Sequence, residues 1–221
     1  YILPVEEMGA LCRRYGVPFA VDAAQSAGSL PVSLEKWGAD FIAMPGHKGL
    51  LGPQGTGVLL CKELPKPLLY GGTGSMSREQ RMPDFLPDVG EAGTLNVPGI
   101  AGLEAGIRLV EERGRSKILA RERRQAMLCA RELEKLGCRV FYGDHQLGTV
   151  SFVPKGDCEE VAEHLSGWGI CLRAGLHCAP FAHESAGTLD TGTVRVSFGW
   201  ENTDHEREKL LKILEKSPIQ I

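Results

Sequence analysis

Asp40 to Cys61 reads DFIAMPGHKGLLGPQGTGVLLC, and the reading of this stretch decides the fold. The apolar run Phe41-Ile42-Ala43-Met44 suits a short buried strand, and Pro45-Gly46 breaks it. His47 and Lys48 therefore stand at a strand end, where open α/β sheets place their chemistry. Gly49, Gly52, Pro53, Gly55 and Gly57 keep the following backbone thin and turned, and Thr56 to Cys61 resumes as a β-rich apolar strand. A lysine amine between a histidine and a glycine-rich turn is a candidate Schiff-base nucleophile; the plain alternative is a solvated surface charge. A phosphate-binding loop needs Gly-Lys-Ser/Thr, and Lys48 is followed by Gly49 and Leu50, so no hydroxyl is placed for magnesium.

Working outward, Pro18-Phe19-Ala20-Val21 is another buried-strand run, ending in Asp22 with Gln25 three residues on. A carboxylate at that strand end suits the nitrogen of a pyridinium ring, and it suits equally the N-cap of a helical turn through Ala23-Ala24-Gln25. The alternation continues with a helix from Pro4 to Gly16, a short helix over Ser33–Trp37 and a proline-rich exit at Pro65 and Pro67. This is the pattern of a mainly parallel sheet covered by helices. From Gly71 to Pro98 the composition shifts to glycine, proline, serine and charge, a length without periodicity that marks either a disordered segment or a functional loop.

Asn96 and Pro98 open a helix with small residues on one face, and a longer one runs from Ser116 to Leu136, stopped by Gly137. Strands are predicted at Arg139–Tyr142, Thr149–Val153, Ile170–Leu172 and Val194–Ser197, with helices over Cys158–Trp168 and Thr203–Lys216. The result is a small α/β domain beside a larger one, divided between residues 1–97 and 98–221.

With Asp22, Gln25, His47 and Lys48 in this order, the sequence resembles the fold type I, class V aminotransferases that use pyridoxal 5′-phosphate. RAGLHCAP at Arg173–Pro180 is similar to the active-cysteine loop of their cysteine desulfurase and selenocysteine lyase branch, and EAGTLN (Glu91–Asn96) and TVRVSFG (Thr193–Gly199) follow that branch in order. The resemblance implies that Lys48 carries the cofactor and Asp22 faces its ring nitrogen. It gives Gln25 the phenolate oxygen and His47 the phosphate. Thr94 reaches the phosphate of the other subunit in a homodimer, and Arg195 binds the substrate α-carboxylate with Arg173 nearby. Cys178 takes sulfur from L-cysteine, or meets L-selenocysteine, and passes it to a sulfur-acceptor protein.

Members are nearly twice as long, so the first part of the large domain is expected to lie outside the 221 residues, which open at Tyr1. Many of them carry a serine two residues before the histidine where this chain has Pro45, which lacks both hydroxyl and amide hydrogen. The alternative readings are another class V aminotransferase, a selenocysteine lyase, or a silent structural module.

On the residues alone, Arg173 and His177 flank Cys178 and are placed to stabilise a thiolate, the nucleophilic form; the alternative is a buried structural cysteine. Cys171, His177, Cys178 and His183 match no standard zinc spacing. Arg195 in a strand pattern suits bidentate capture of a carboxylate or a solvent-facing position. The net charge of −3 with mixed signs offers no field for nucleic acid or an anionic membrane. No run is long enough to span a bilayer, no signal peptide opens the chain, and seven scattered cysteines point to a reducing cytosol.

Overall fold

The computed structural model describes residues 1–64 and 66–217, so Pro65 of the proline-rich exit lies outside the described residues. The chain divides into two compact units, Pro4–Arg115 and Ser116 onward, the latter joined by Tyr1–Leu3.

In the first unit, α1 (Val5–Tyr15) has Glu6 and Glu7 in its first turn and Arg13 and Arg14 in its last, each opposing the helix dipole, and Gly16 closes it at φ 65°. Three strands follow, β1 (Ala20–Asp22), β2 (Phe41–Pro45) and β3 (Gly57–Cys61), with α2 (Leu34–Trp37) capped by Ser33 between the first two. β1 pairs parallel to β2, with Asp22 opposite Ala43. β3 runs antiparallel, with Pro45 opposite Gly57. The alternation predicts a mainly parallel sheet; the described strands make one parallel and one antiparallel pair. The loop between β2 and β3 is too short for a crossover helix, so the chain must return antiparallel. Pro45 ends β2 from within, at its last pair.

Ile42, Met44, Trp37, Ala23, Ala27, Leu50 and Leu103 form the core of this unit. α3 (Val97–Arg113) starts under an Asn96 cap that accepts from the Gly99 N–H. It lies directly on the chain after Lys48, because a Cβ at Gly106 would stand 2.5 Å from the Leu50 carbonyl oxygen. The small-residue face expected for this helix therefore meets the lysine loop.

The second unit contains α4 (Arg115–Lys135), β4 (Arg139–Phe141), β5 (Thr149–Val153), α5 (Cys158–Gly167), β6 (Arg173–Gly175), α6 (Pro180–Ala186), β7 (Thr193–Ser197) and α7 (Asp204–Lys216). Its sheet has the order β4-β5-β7-β6, all antiparallel. Alternation sends Val150, Phe152, Val194 and Val196 into a core closed by Ala126, Cys129 and Leu133 of α4, Val161 and Leu165 of α5, and Leu210 and Leu214 of α7. The opposite face then carries Ser151, Arg195 and Arg173 in one cross-strand row.

The strand predicted at Ile170–Leu172 forms instead at Arg173–Gly175. Gly169, at φ 73°, and the bond from Ile170 N–H to Leu165 O consume the earlier residues in closing α5. The short α6 was not predicted, although Pro180 at its first turn and Gly187 at its end are helix start and stop signals. Among the described residues no helix is long and apolar enough to cross a membrane.

Candidate active site

The first unit gathers Asp22, Gln25, His47 and Lys48 on two loops that leave the same sheet edge, the C-terminal ends of the parallel pair β1 and β2. All four are exposed. Asp22 accepts the Ala24 N–H through Oδ1 at 2.8 Å, so the capping geometry is present and also fixes the carboxylate. The lysine loop is held by backbone: Gly46 N–H to Thr56 O at 2.8 Å, Gly52 N–H to Gly46 O at 2.8 Å, and Leu51 N–H to Lys48 O at 2.9 Å.

The two loops cross at glycine. Gly28 has φ 91°, and a Cβ built on it would lie 1.9 Å from the Gly49 carbonyl oxygen; one on Gly49 would lie 2.2 Å from Ala27 O. Only bare backbone allows this approach. The crossing fixes the segment after Asp22 and Gln25 against the segment after Lys48. Gly28 was not singled out in the sequence; the glycine in AQSAGS was its only signal.

Thr94 lies exposed in the loop before α3. That loop closes on itself through Gly93 N–H to Gly72 O at 2.8 Å and through Ser75 and the buried Asp88 carboxylate.

The second unit brings together Arg173, His177, Cys178 and Arg195. Arg173 and Arg195 are directly opposed across the β6–β7 ladder. Burial and the Arg173 charge push Arg195 below its ordinary value, though a guanidinium stays protonated throughout the physiological range. Arg195 donates through Nε to Ser197 Oγ at 3.1 Å, and Arg173 through Nη2 to Cys178 Sγ at 3.7 Å. Among the described residues neither guanidinium has a carboxylate partner. Like charges directly opposed in a ladder are unfavourable, so the pair offers a place to an anion from outside the chain.

Cys178 is exposed, not a buried structural cysteine. Burial instead raises Cys138 and Cys158, and it pushes Cys129 up to about 12. These three thiols stay protonated and inert. The cysteine turn holds two consecutive left-handed residues that are not glycine, His177 at φ 52° and Cys178 at φ 60°. Each costs roughly 1–2 kcal/mol.

His177 departs from expectation. Its Nε2 lies 3.2 Å from Thr193 O and 2.9 Å from Thr193 Oγ1, and since a carbonyl only accepts, Nε2 carries the proton. Burial, with Arg195 next in weight, pushes the ring below its ordinary value, so it is neutral at pH 7 and brings no positive charge to the thiolate. The cation beside Sγ is Arg173. Thr193, buried at 2 %, was missed as a site residue because a threonine opening a strand carries no signal of a partner ring.

The model of the family described as aminotransferase class-V matches residues 1–210. A probable cysteine desulfurase of Methanothermobacter thermautotrophicus is 38% identical over 96% of this chain and 56% of its own length. The cysteine desulfurase of an Escherichia coli O157:H7 strain is 31% identical over 96% of this chain and 54% of its own. Among solved structures, the apo cysteine desulfurase of Thermococcus onnurineus aligns with a TM-score of 0.86 at 36% identity, over 96% of this chain and 55% of that one. The chain thus spans about half the length of the curated relatives it matches, and it belongs to the aminotransferase class-V family.

Proposed function

We propose that this chain is the C-terminal part of a pyridoxal-phosphate-dependent cysteine desulfurase acting on L-cysteine. Residues 1–97 then form the end of the cofactor-binding domain, and residues 98–221 the connecting helices and the small domain. The observation that carries the reading is the cluster at β6 and β7: an exposed thiol beside one guanidinium, with a second guanidinium across the ladder and no acidic partner for either among the described residues. A nucleophile next to a pair of guanidiniums able to bind a carboxylate is what sulfur removal from an amino acid requires.

The donor set of the first unit fits the cofactor: an amine, a carboxylate, an amide and an imidazole leave one sheet edge on loops locked together by bare backbone. When bound, pyridoxal 5′-phosphate withdraws electrons from the substrate Cα. Lys48 would hold it covalently and would move protons at the substrate Cα; Asp22 would keep the ring nitrogen protonated, Gln25 would donate to the phenolate oxygen, and His47 would donate to the phosphate.

Thr94 adds a hydroxyl to the phosphate bound by the second subunit of a homodimer. Pro45 brings no side-chain donor and no N–H, so phosphate affinity falls below that of relatives with serine there. Arg195, with Arg173, binds the substrate α-carboxylate. The Cys178 thiolate attacks the substrate sulfur: an S–S bond forms, the S–Cβ bond breaks with its electrons going to carbon, and that carbon takes a proton to give alanine. Cys178 is left as a persulfide for an acceptor protein. All seven cysteines are free, in keeping with a reducing cytosol.

The test is borohydride reduction of the full-length protein with bound cofactor. Reduction fixes the cofactor to Lys48, and Lys48→Ala removes the adduct while leaving the fold intact. An adduct of equal occupancy on another lysine would overturn the assignment.

A further inference from the structure

The turn that carries Cys178 is bent in a way its residues do not favour. Two adjacent left-handed residues persist only where surrounding contacts over-determine them. The backbone supplies one closure, Ala179 N–H to Leu176 O at 2.9 Å. Two side-chain contacts attach it to the sheet: Arg173 of β6 donates to Cys178 Sγ, and the imidazole of His177 donates through Nε2 to Thr193 of β7. Thr193 is the first residue of β7, two before Arg195 and on the same face. His183 backs the ring, with centroids 5.7 Å apart, and is itself held by Thr188 Oγ1 at 2.9 Å. The other Nδ1 of His177 is buried without a partner. A buried acceptor left unpaired is unfavourable, so solvation of the ring does not explain its place in the turn.

We infer that His177 is a positioning residue: its neutral imidazole pins the Cys178 turn to the strand that carries Arg195, holding the thiol in fixed relation to the carboxylate clamp. This rests on the reading of Cys178 as nucleophile and of Arg195 as the carboxylate site. It assigns His177 no proton transfer and no charge. The ionisable groups around the ring are Arg195, Arg173, His183 and Cys178 itself, and the lowered value of His177 keeps the ring uncharged among them.

The experiment needs no cofactor and uses the 221-residue chain at about pH 8, above the range in which His177 titrates. Cys178 is alkylated with iodoacetate, which carries a carboxylate, and separately with iodoacetamide, which does not. The rate of each reaction is read on the peptide containing Cys178. A thiol aligned with the clamp prefers iodoacetate by about tenfold over the preference of a small model thiol, the factor expected for one charge-assisted hydrogen bond.

Arg195→Gln removes this preference. His177→Ala removes it too, although no charge is lost. His177→Asn restores part of it, since asparagine tolerates the left-handed conformation and offers an N–H. Thermal unfolding is measured alongside. If His177→Ala does not fold, Thr193→Val, which keeps the carbonyl and loses the hydroxyl, decides through an expected fall of about threefold.

A full preference in His177→Ala, or in Thr193→Val where that variant decides, together with its loss in Arg195→Gln, would overturn the positioning role and leave the proposed function standing. A preference untouched by Arg195→Gln would sink the carboxylate site itself. A wild-type preference equal to that of the model thiol would overturn both.

Discussion

The lysine loop of the first unit and the cysteine turn of the second are built on opposite principles. Backbone holds the first: amide-to-carbonyl closures around Gly46, Lys48 and Gly52, and the bare crossing of Gly28 with Gly49. Side chains hold the second: His177 on Thr193 and Arg173 on Cys178, in a turn whose left-handed residues are not glycine. The first therefore rejects a Cβ at its crossing glycines, Gly28 and Gly49, yet tolerates changes among its outward side chains. The second has space and depends on a few polar atoms. On the proposed function the lysine loop grips a bulky bound group and gains from rigid backbone, whereas the thiol reaches and releases and gains from a turn that a few contacts set.

The largest effect expected from breaking the cysteine turn is catalytic. On the proposed function, Cys178→Ala is expected to lower alanine formation from cysteine roughly a thousandfold in the full-length protein. Its effect with selenocysteine is far smaller, because selenide leaves without a thiolate to accept it. Arg195→Ala impairs both substrates, since each carries the same α-carboxylate. Steady-state alanine production separates these cases, and equal losses for Cys178→Ala on the two substrates would withdraw the persulfide role.

Next in size is the backbone crossing. Gly28→Ala combines a left-handed φ of 91° with a 1.9 Å overlap on backbone, and is expected to cost about 3 kcal/mol or more of stability. Gly55 has φ 75° but nothing within 4 Å of a new Cβ, so Gly55→Ala is expected to cost only about 1 kcal/mol. Urea unfolding of the two variants measures the difference. Equal costs would show that the crossing matters less than conformation alone.

Smaller still is Thr193→Val. It removes one hydroxyl contact to His177 and is expected to cost about 1 kcal/mol in the same assay.

The smallest effects are those of pH. Asp204 is held at about 2, first by its hydrogen bond from Arg207 and then by that from Arg124. Below the ordinary carboxylate range the unfolded chain takes up this proton before the folded one. The stability that Asp204 contributes is therefore present above about pH 4 and is lost as pH falls toward 2. Asp204→Asn should flatten that part of an acid-unfolding curve. His177 acts over a higher window: its folded value lies below the ordinary one, so stability declines as pH drops below about 6.5, and His177→Asn should remove that decline.

Sequence determined the elements whose signals are local. β5 was placed at Thr149–Val153, because alternation of apolar and polar residues belongs to the strand itself. α1 was bounded by Pro4 and Gly16, because caps act within a turn of where they stand. The lysine loop was legible for the same reason, since glycine spacing records backbone shape directly.

Tertiary structure alone decided the rest. It moved β6 onto Arg173–Gly175, where β7 supplied the ladder, and so set Arg173 opposite Arg195. It set the ring of His177 onto Thr193, sixteen residues on, and left it neutral by burying it. Neither outcome has a local signature, because a register and a desolvation are properties of the neighbours that folding brings, and nothing in RAGLHCAP states which strand will lie beside it.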